Sequence, residues 1–106
     1  MKSGLIAMFL AFALSASNVR ANTYIGAGTL SCGAYLNKEE VVRSAVQLWV
    51  LGYVSGINAM SNVDFLEKFD GEGIGASVDK YCRENPLKKI YDASNDIGIQ
   101  MMKMTK

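Results

Sequence analysis

The stretch Tyr81-Cys82-Arg83-Glu84-Asn85-Pro86-Leu87 joins two helical patterns and holds one of the two cysteines of this 106-residue chain. Asn85 can cap free N–H groups and Pro86 fits the first helical position, so the pair predicts that the last helix begins at Pro86. Cys82 ends the helix before it. Its only intramolecular partner is Cys32, so a disulfide would fasten this junction to the beginning of the fold.

The first 21 residues have the pattern of a secretory signal. Lys2 supplies positive charge, residues 5–14 form an apolar run, and Val19-Arg20-Ala21 offers small residues before a cut after Ala21. The run is shorter than the ~20 apolar residues that cross a bilayer, which argues against a stable membrane anchor. The sequence therefore predicts a cleaved signal peptide at 1–21, a domain at 22–106, and a periplasmic protein.

The predicted domain is small, and its size makes a disulfide important. A chain of about 85 residues buries too little apolar surface for a wide margin of stability. In an oxidising compartment, a bond between Cys32 and Cys82 would stabilise the fold by about 4 kcal/mol, because it restricts the unfolded chain. The alternative is that both cysteines are buried free thiols.

The longest helical pattern begins after Asn37, which with Glu40 has the spacing of a capping box, and it continues to about Ala59. One stripe at spacings of three and four residues consists of Val42, Ala45, Trp49, Gly52, Tyr53 and Gly56. Other apolar side chains widen this stripe around much of the helix. Such a helix is predicted to be central, with neighbours on more than one side.

Gly52 and Gly56 lie one turn apart on that helix. Each costs about 1 kcal/mol relative to alanine, so some gain should offset them. Close approach of another backbone is one explanation, and docking of a ligand or partner is the other. Trp49, Gly52, Tyr53 and Gly56 are therefore the predicted partner-binding or helix-packing surface.

The remaining segments predict shorter elements. Residues 63–69 predict a short amphipathic helix with Val63, Leu66 and Phe69 inward, and residues 70–73 predict a mobile loop. Two further helices bury one face each. Their predicted inward residues are Ile74, Val78, Tyr81 and Cys82 in the first, and Leu87, Ile90, Ala93 or Ser94, Ile97 and Met101 in the second. Together the patterns predict an all-α, single-domain bundle of about four helices stapled by one disulfide.

No catalytic, cofactor or metal constellation stands out, so the sequence predicts a protein that is not an enzyme. The chain has no histidine, which removes the commonest general base and metal ligand. Asp92 and Asp96 share a helix face rather than facing each other across a cleft, as glycosidase acids do. No basic cluster suggests nucleic-acid binding. Met101, Met102 and Met104 could form an adaptable apolar patch.

Three segments form a recognisable set: Ser31-Cys32-Gly33-Ala34-Tyr35-Leu36, the helix with Trp49, and Val78-Asp79-Lys80-Tyr81-Cys82-Arg83-Glu84-Asn85-Pro86-Leu87-Lys88-Lys89-Ile90-Tyr91. Together these segments resemble the HdeA/HdeB family. The resemblance implies a periplasmic protein with a Cys32–Cys82 disulfide. It also implies an ATP-independent holdase that is a folded homodimer at neutral pH and captures unfolded periplasmic proteins in acid.

The composition permits such a role. Without Lys2 and Arg20 the chain has nine basic and ten acidic side chains, a net charge of −1. Protonation of every carboxylate would bring the charge to about +9, and self-repulsion would loosen the fold. The Gly-Tyr-Val-Ser-Gly run at 52–56 departs from that family.

That run is the basis of a second hypothesis. Gly52, Tyr53 and Gly56 resemble a short motif of the Rap1a/Tai immunity proteins, which bind and inhibit a secreted peptidoglycan amidase. The additional cysteines expected in that family are absent. A third alternative is an exported accessory protein with neither role.

Overall fold

The computed structural model describes residues 23–105, so the predicted signal peptide at 1–21 lies outside the described part of the chain. Four α-helices follow one another: α1 (Cys32–Leu36), α2 (Glu40–Met60), α3 (Gly71–Glu84) and α4 (Ile90–Thr105). Short 3₁₀ helices precede α1 at Gly26–Thr29 and precede α3 at Phe65–Lys68. The described chain is 77% helical, has no strand and contains the Cys32–Cys82 disulfide, so the predicted all-α, disulfide-stapled fold is confirmed.

The disulfide lies at the centre of the contact between α1 and α3. Both cysteines are fully buried, and their Cα atoms are 4.7 Å apart. The start of α1 is also bonded to the turn after α3: the Cys32 N–H donates to the Lys88 carbonyl at 2.7 Å, and the Gly33 N–H donates to the Pro86 carbonyl at 2.9 Å. Bridge and hydrogen bonds together fix α1 against the α3–α4 connection.

These hydrogen bonds explain why the predicted start of the last helix at Pro86 is wrong. Because the carbonyls of Pro86 and Lys88 accept from α1, the segment cannot continue as a helix that uses them internally. Asn85 instead ends α3, its side-chain amide donating to the Tyr81 carbonyl at 3.0 Å. The exposed fraction of Leu87 is 96%, so its predicted burial is also wrong.

Two other predicted boundaries and one predicted burial differ from the structure. Asn37 ends α1 rather than starting α2, and Glu39 precedes α2 without a side-chain capping bond. The predicted mobile loop at 70–73 is wrong, because the Asp70 carboxylate accepts the Gly73 N–H at 2.7 Å and caps α3 from Gly71 onward. Within 63–69, Phe65 is the buried side chain and Val63 is exposed.

Helix α2 buries one face only, and this overturns its predicted stripe. The side chains it buries are Val46, Val50 and Val54, against α1, α3, α4 and the two 3₁₀ helices. Val42 is 40% exposed, and Ala45, Gly52 and Gly56 are also exposed. Trp49 and Tyr53 lie on the flank, half-buried. Helix α2 contacts every other helical element of the described chain, as predicted for a central helix, although one side of it is open.

The inward faces of α3 and α4 were predicted more accurately. Ile74, Val78 and Cys82 of α3 are buried. The buried residues of α4 are Ile90, Ala93, Ser94, Ile97, Gly98 and Met101. Tyr35 and Leu36 pack against the same core.

Candidate functional site

Trp49 lies beneath the segment that precedes α1, so it is not a free binding surface. A Cβ atom added at Gly28 would overlap the indole ring, and one added at Gly26 would lie 3.2 Å from the indole Nε1. Gly26 also has a φ of +80°, a conformation that favours glycine. The two glycines therefore let the 3₁₀ helix close over Trp49.

Tyr53 belongs to an aromatic cluster that ties the N-terminal segment to α2 and α4. Its ring stacks on Trp49 with centroids 5.3 Å apart, while Tyr24 stacks on Tyr91 at 4.1 Å. The Tyr53 hydroxyl donates to Asn95 Oδ1 at 2.6 Å. Burial and the hydrogen bond with Tyr24 raise the pKa of Tyr53 to about 12. The hydroxyl of Tyr53 is thus held neutral and has a structural role.

Gly52 and Gly56 are exposed, and a Cβ added at either would meet no described atom within 4 Å beyond the adjoining backbone of α2 itself. The prediction that another backbone packs against them is therefore wrong within residues 23–105. Gly56 lines a shallow apolar groove of about 570 Å³ together with Tyr53, Ile57, Met60, Ser61 and Met102. Met60 on its rim is 88% exposed. We call this the Tyr53 groove.

The side of α2 opposite the core forms a second apolar surface, which we call the outward face. It consists of Val41, Ala45, Leu48, Gly52, Ser55 and Ala59, at alternating spacings of four and three residues, and all six are exposed. Val41 is 72% and Leu48 67% exposed. The sequence has no charged residue from Ser44 to Val63. A water-facing helix surface normally carries charged and polar side chains, so this face is unusual.

The predicted surface consisted of Trp49, Gly52, Tyr53 and Gly56, and the structure does not bring all four together. Tyr53 and Gly56 share the groove, and Gly52 lies on the adjacent outward face. Trp49 is covered by the segment containing Gly28. One sequence signal could have indicated an exposed apolar surface on α2: no charged residue follows Arg43 until Asp64. This signal does not show which side of the helix faces solvent.

A partly buried polar network centred on the Tyr35 hydroxyl was also missed. The Tyr35 hydroxyl donates to Asp79 Oδ1 at 2.5 Å and accepts from Gln47 Nε2 at 2.7 Å, joining α1, α2 and α3. Burial, together with the bond to Asp79, raises the pKa of Tyr35 to about 12. The three side chains satisfy one another, so the network stabilises the fold rather than offering a reactive group.

The carboxylates and methionines singled out in the sequence have local roles. Asp92 Oδ2 accepts the Lys89 N–H at 2.9 Å at the start of α4, and Asp96 Oδ2 accepts from Gln100 Nε2 at 2.8 Å. The predicted methionine patch is not continuous, because Met101 is buried while Met104 is exposed.

Neither a metal centre nor a membrane span is found in the described part of the chain. Between residues 23 and 105, no three His, Cys, Asp or Glu side chains are grouped so that they could hold a metal ion. Within the same range, no helix has the length and apolar character needed to cross a membrane.

No protein-family model matches this chain, and neither does a curated protein or a solved structure.

Proposed function

We propose that this chain is an exported, periplasmic, non-enzymatic protein-binding protein that holds apolar segments of other polypeptides. The observation that carries the proposal is the outward face of α2, an exposed apolar surface without charge on a helix whose opposite side is fixed in the core. Val41 and Leu48 provide apolar area there, and binding such a face requires no desolvation of a charge.

The Tyr53 groove adjoins this face and extends the proposed surface. Met60 and Met102 line it, and methionine side chains adapt to partners of different shape. A surface that must accept many unfolded sequences benefits from such adaptable side chains. This supports capture of varied clients.

The holdase form of the proposal rests on the resemblance to the HdeA/HdeB family. In this form the protein is a homodimer at neutral pH and captures clients in acid without ATP. Protonation of the ten carboxylates leaves only positive charge, which loosens the fold and exposes further apolar surface. The Cys32–Cys82 bond limits the expansion because it joins α1 to α3.

A second candidate is an immunity protein that inhibits a secreted peptidoglycan amidase. It is favoured by the location of its motif: Gly52 lies on the outward face, while Tyr53 and Gly56 line the groove. In this form the partner is one folded enzyme rather than many unfolded clients, and binding requires no acid.

The test is aggregation of an unfolding client, followed by light scattering at pH 2 and pH 7, with disulfide-bonded protein lacking residues 1–21. We expect suppression of aggregation at pH 2 only. Leu48→Lys should weaken it by placing charge on the outward face, whereas Leu87→Lys changes an even more exposed leucine elsewhere and should not.

The outcomes separate the candidates. Absence of protection at both pH values would remove the holdase. Tight inhibition of an amidase at pH 7 that Leu48→Lys abolishes would favour the immunity role. Equal effects of the two lysine variants would contradict the assignment to the outward face.

A further inference from the structure

A second cleft lies between α3 and α4, away from the outward face of α2. Its volume is about 260 Å³, below the ~300 Å³ at the lower end for drug-sized ligands. Helices α3 and α4 are joined by the short turn at 85–89, so they lie side by side in opposite directions. Late residues of α3 therefore face early residues of α4.

The two ends of this cleft differ in chemistry. Phe69, Ile74, Met101 and Met104 line one end, where early α3 meets late α4. Lys80, Tyr81 and Glu84, late in α3, line the other end, and Asp96 lines the cleft from the first half of α4. The cleft is thus apolar at one end and acidic at the other.

The negative charge near this end affects the pKa of Tyr81. Burial raises the pKa of the Tyr81 hydroxyl, and the negative charges of Asp92 and Asp96 raise it further. Lys80 is the one basic side chain among the lining residues, against the two carboxylates Glu84 and Asp96. The balance at this end is negative.

We propose that this cleft binds a small amphipathic organic cation, with an apolar body against Phe69 and Met104 and a primary ammonium group beside Asp96 and Glu84. The apolar end gains from burial of hydrocarbon, and the carboxylates accept charge-assisted hydrogen bonds from the ammonium. The size of the cleft restricts the ligand to about the volume of one large side chain. This site is independent of client binding at α2.

The probe is 4-phenylbutylamine at pH 7, compared with 4-phenylbutanol and 4-phenylbutanoate of similar shape. Binding is followed by amide chemical shifts in two-dimensional NMR of the disulfide-bonded protein. We expect the amine to shift amides of α3 and α4 and to bind about tenfold more tightly than the alcohol, because only the amine meets the carboxylates as a charge.

Three variants test the direction of the charge effect. Asp96→Asn and Glu84→Gln should each weaken amine binding, whereas Lys80→Gln should strengthen it by removing the opposing charge. If the carboxylate probe binds as tightly as the amine, or if Lys80→Gln weakens amine binding, the proposal is overturned. Absence of shifts with all three probes would also refute it, and Leu48→Lys, which tests the α2 surface, should leave amine binding unchanged.

Discussion

The two faces of α2 have similar apolar composition and opposite surroundings. On the inner face, Val46, Val50 and Val54 are buried against three other helices. On the outward face, Val41 and Leu48 are exposed to solvent, and the sequence has no charged residue from Ser44 to Val63. Apolar character therefore does not by itself locate a core. The inner face differs because the helices packed against it are joined to one another, by the Cys32–Cys82 disulfide and by the hydrogen bonds of Tyr35.

The glycines show the same difference at the level of single atoms. Gly28 lies against the Trp49 ring so closely that it has no room for a side chain, whereas Gly52 faces open space. The glycine that packing requires is in the N-terminal segment. Gly52 and Gly56, which were predicted to pack against another backbone, instead face open space where a partner could bind.

The largest expected effect comes from removing the disulfide behind the inner face. The double variant Cys32→Ser with Cys82→Ser should lose about 4 kcal/mol of unfolding free energy, because the unfolded chain regains the freedom of a long loop. Urea denaturation followed by circular dichroism measures this loss. A free-thiol assay on denatured, unreduced wild-type protein should find no reactive cysteine. A loss below about 1 kcal/mol would mean that the buried contacts hold the inner face without the bridge.

A matched pair of truncations compares the two faces directly. Val50→Ala removes two buried methyl groups and should cost about 2 kcal/mol from lost burial and an unfilled cavity. Leu48→Ala removes more atoms, yet it should change the unfolding free energy by less than about 0.5 kcal/mol, because Leu48 is mostly exposed. Urea midpoints at low protein concentration measure both. Equal losses would show that the outward face is covered in solution.

The sequence predicted the buried residues correctly in helices whose apolar residues lie on one face only. In α3 and α4 the buried residues recur at three and four on a polar background, so Ile74, Val78, Ile97 and Met101 were placed correctly. In α2 the apolar residues surround the helix, and the periodicity could not fix which side faces the core. The predicted stripe includes Trp49 and Tyr53, and the structure places them on the flank of the buried face.

Features that depend on distant partners could not be predicted. The turn at 85–89 replaces a predicted helix because carbonyls there accept N–H groups of Cys32 and Gly33. The Tyr35 network joins Tyr35 to residues 12 and 44 positions away in the sequence. The local spacing of apolar and polar residues gives no indication of these contacts. For the candidate site, the sequence named Gly52, Tyr53 and Gly56 as surface residues. Their separation into a groove and an outward face required the structure.

The Tyr35 network tests the polar bonding that distinguishes the inner face. Tyr35→Phe should cost about 1.5 kcal/mol at pH 7, because the half-buried Asp79 and Gln47 side chains lose a shared hydrogen-bond partner. Urea denaturation at pH 7 measures the loss. No change in stability would show that water replaces the hydroxyl.

Tyr35→Phe also tests how the unfolding free energy changes at alkaline pH. The pKa of Tyr35 is raised to about 12, so an unfolded chain loses this proton near pH 10 while the folded protein keeps it. Stability contributed by the neutral phenol is therefore complete below pH 10 and falls as the pH rises toward 12. Because Tyr35→Phe removes that contribution, it should lose less stability than wild type over this interval. An equal loss would place the titration at other tyrosines.

The smallest effect concerns Gly52, and its sign is what matters. Gly52→Ala should stabilise the isolated protein by about 1 kcal/mol, because alanine favours the helix and its methyl group meets no neighbour. Gly28→Ala is the control of opposite sign, since its methyl group would overlap the Trp49 ring. Thermal unfolding at several protein concentrations measures both. A stabilisation by Gly52→Ala that is independent of concentration would show that the outward face is open in the free protein. If the variant is instead destabilised, and more so at high concentration, a second copy packs against Gly52, and the glycine is retained for close contact between chains.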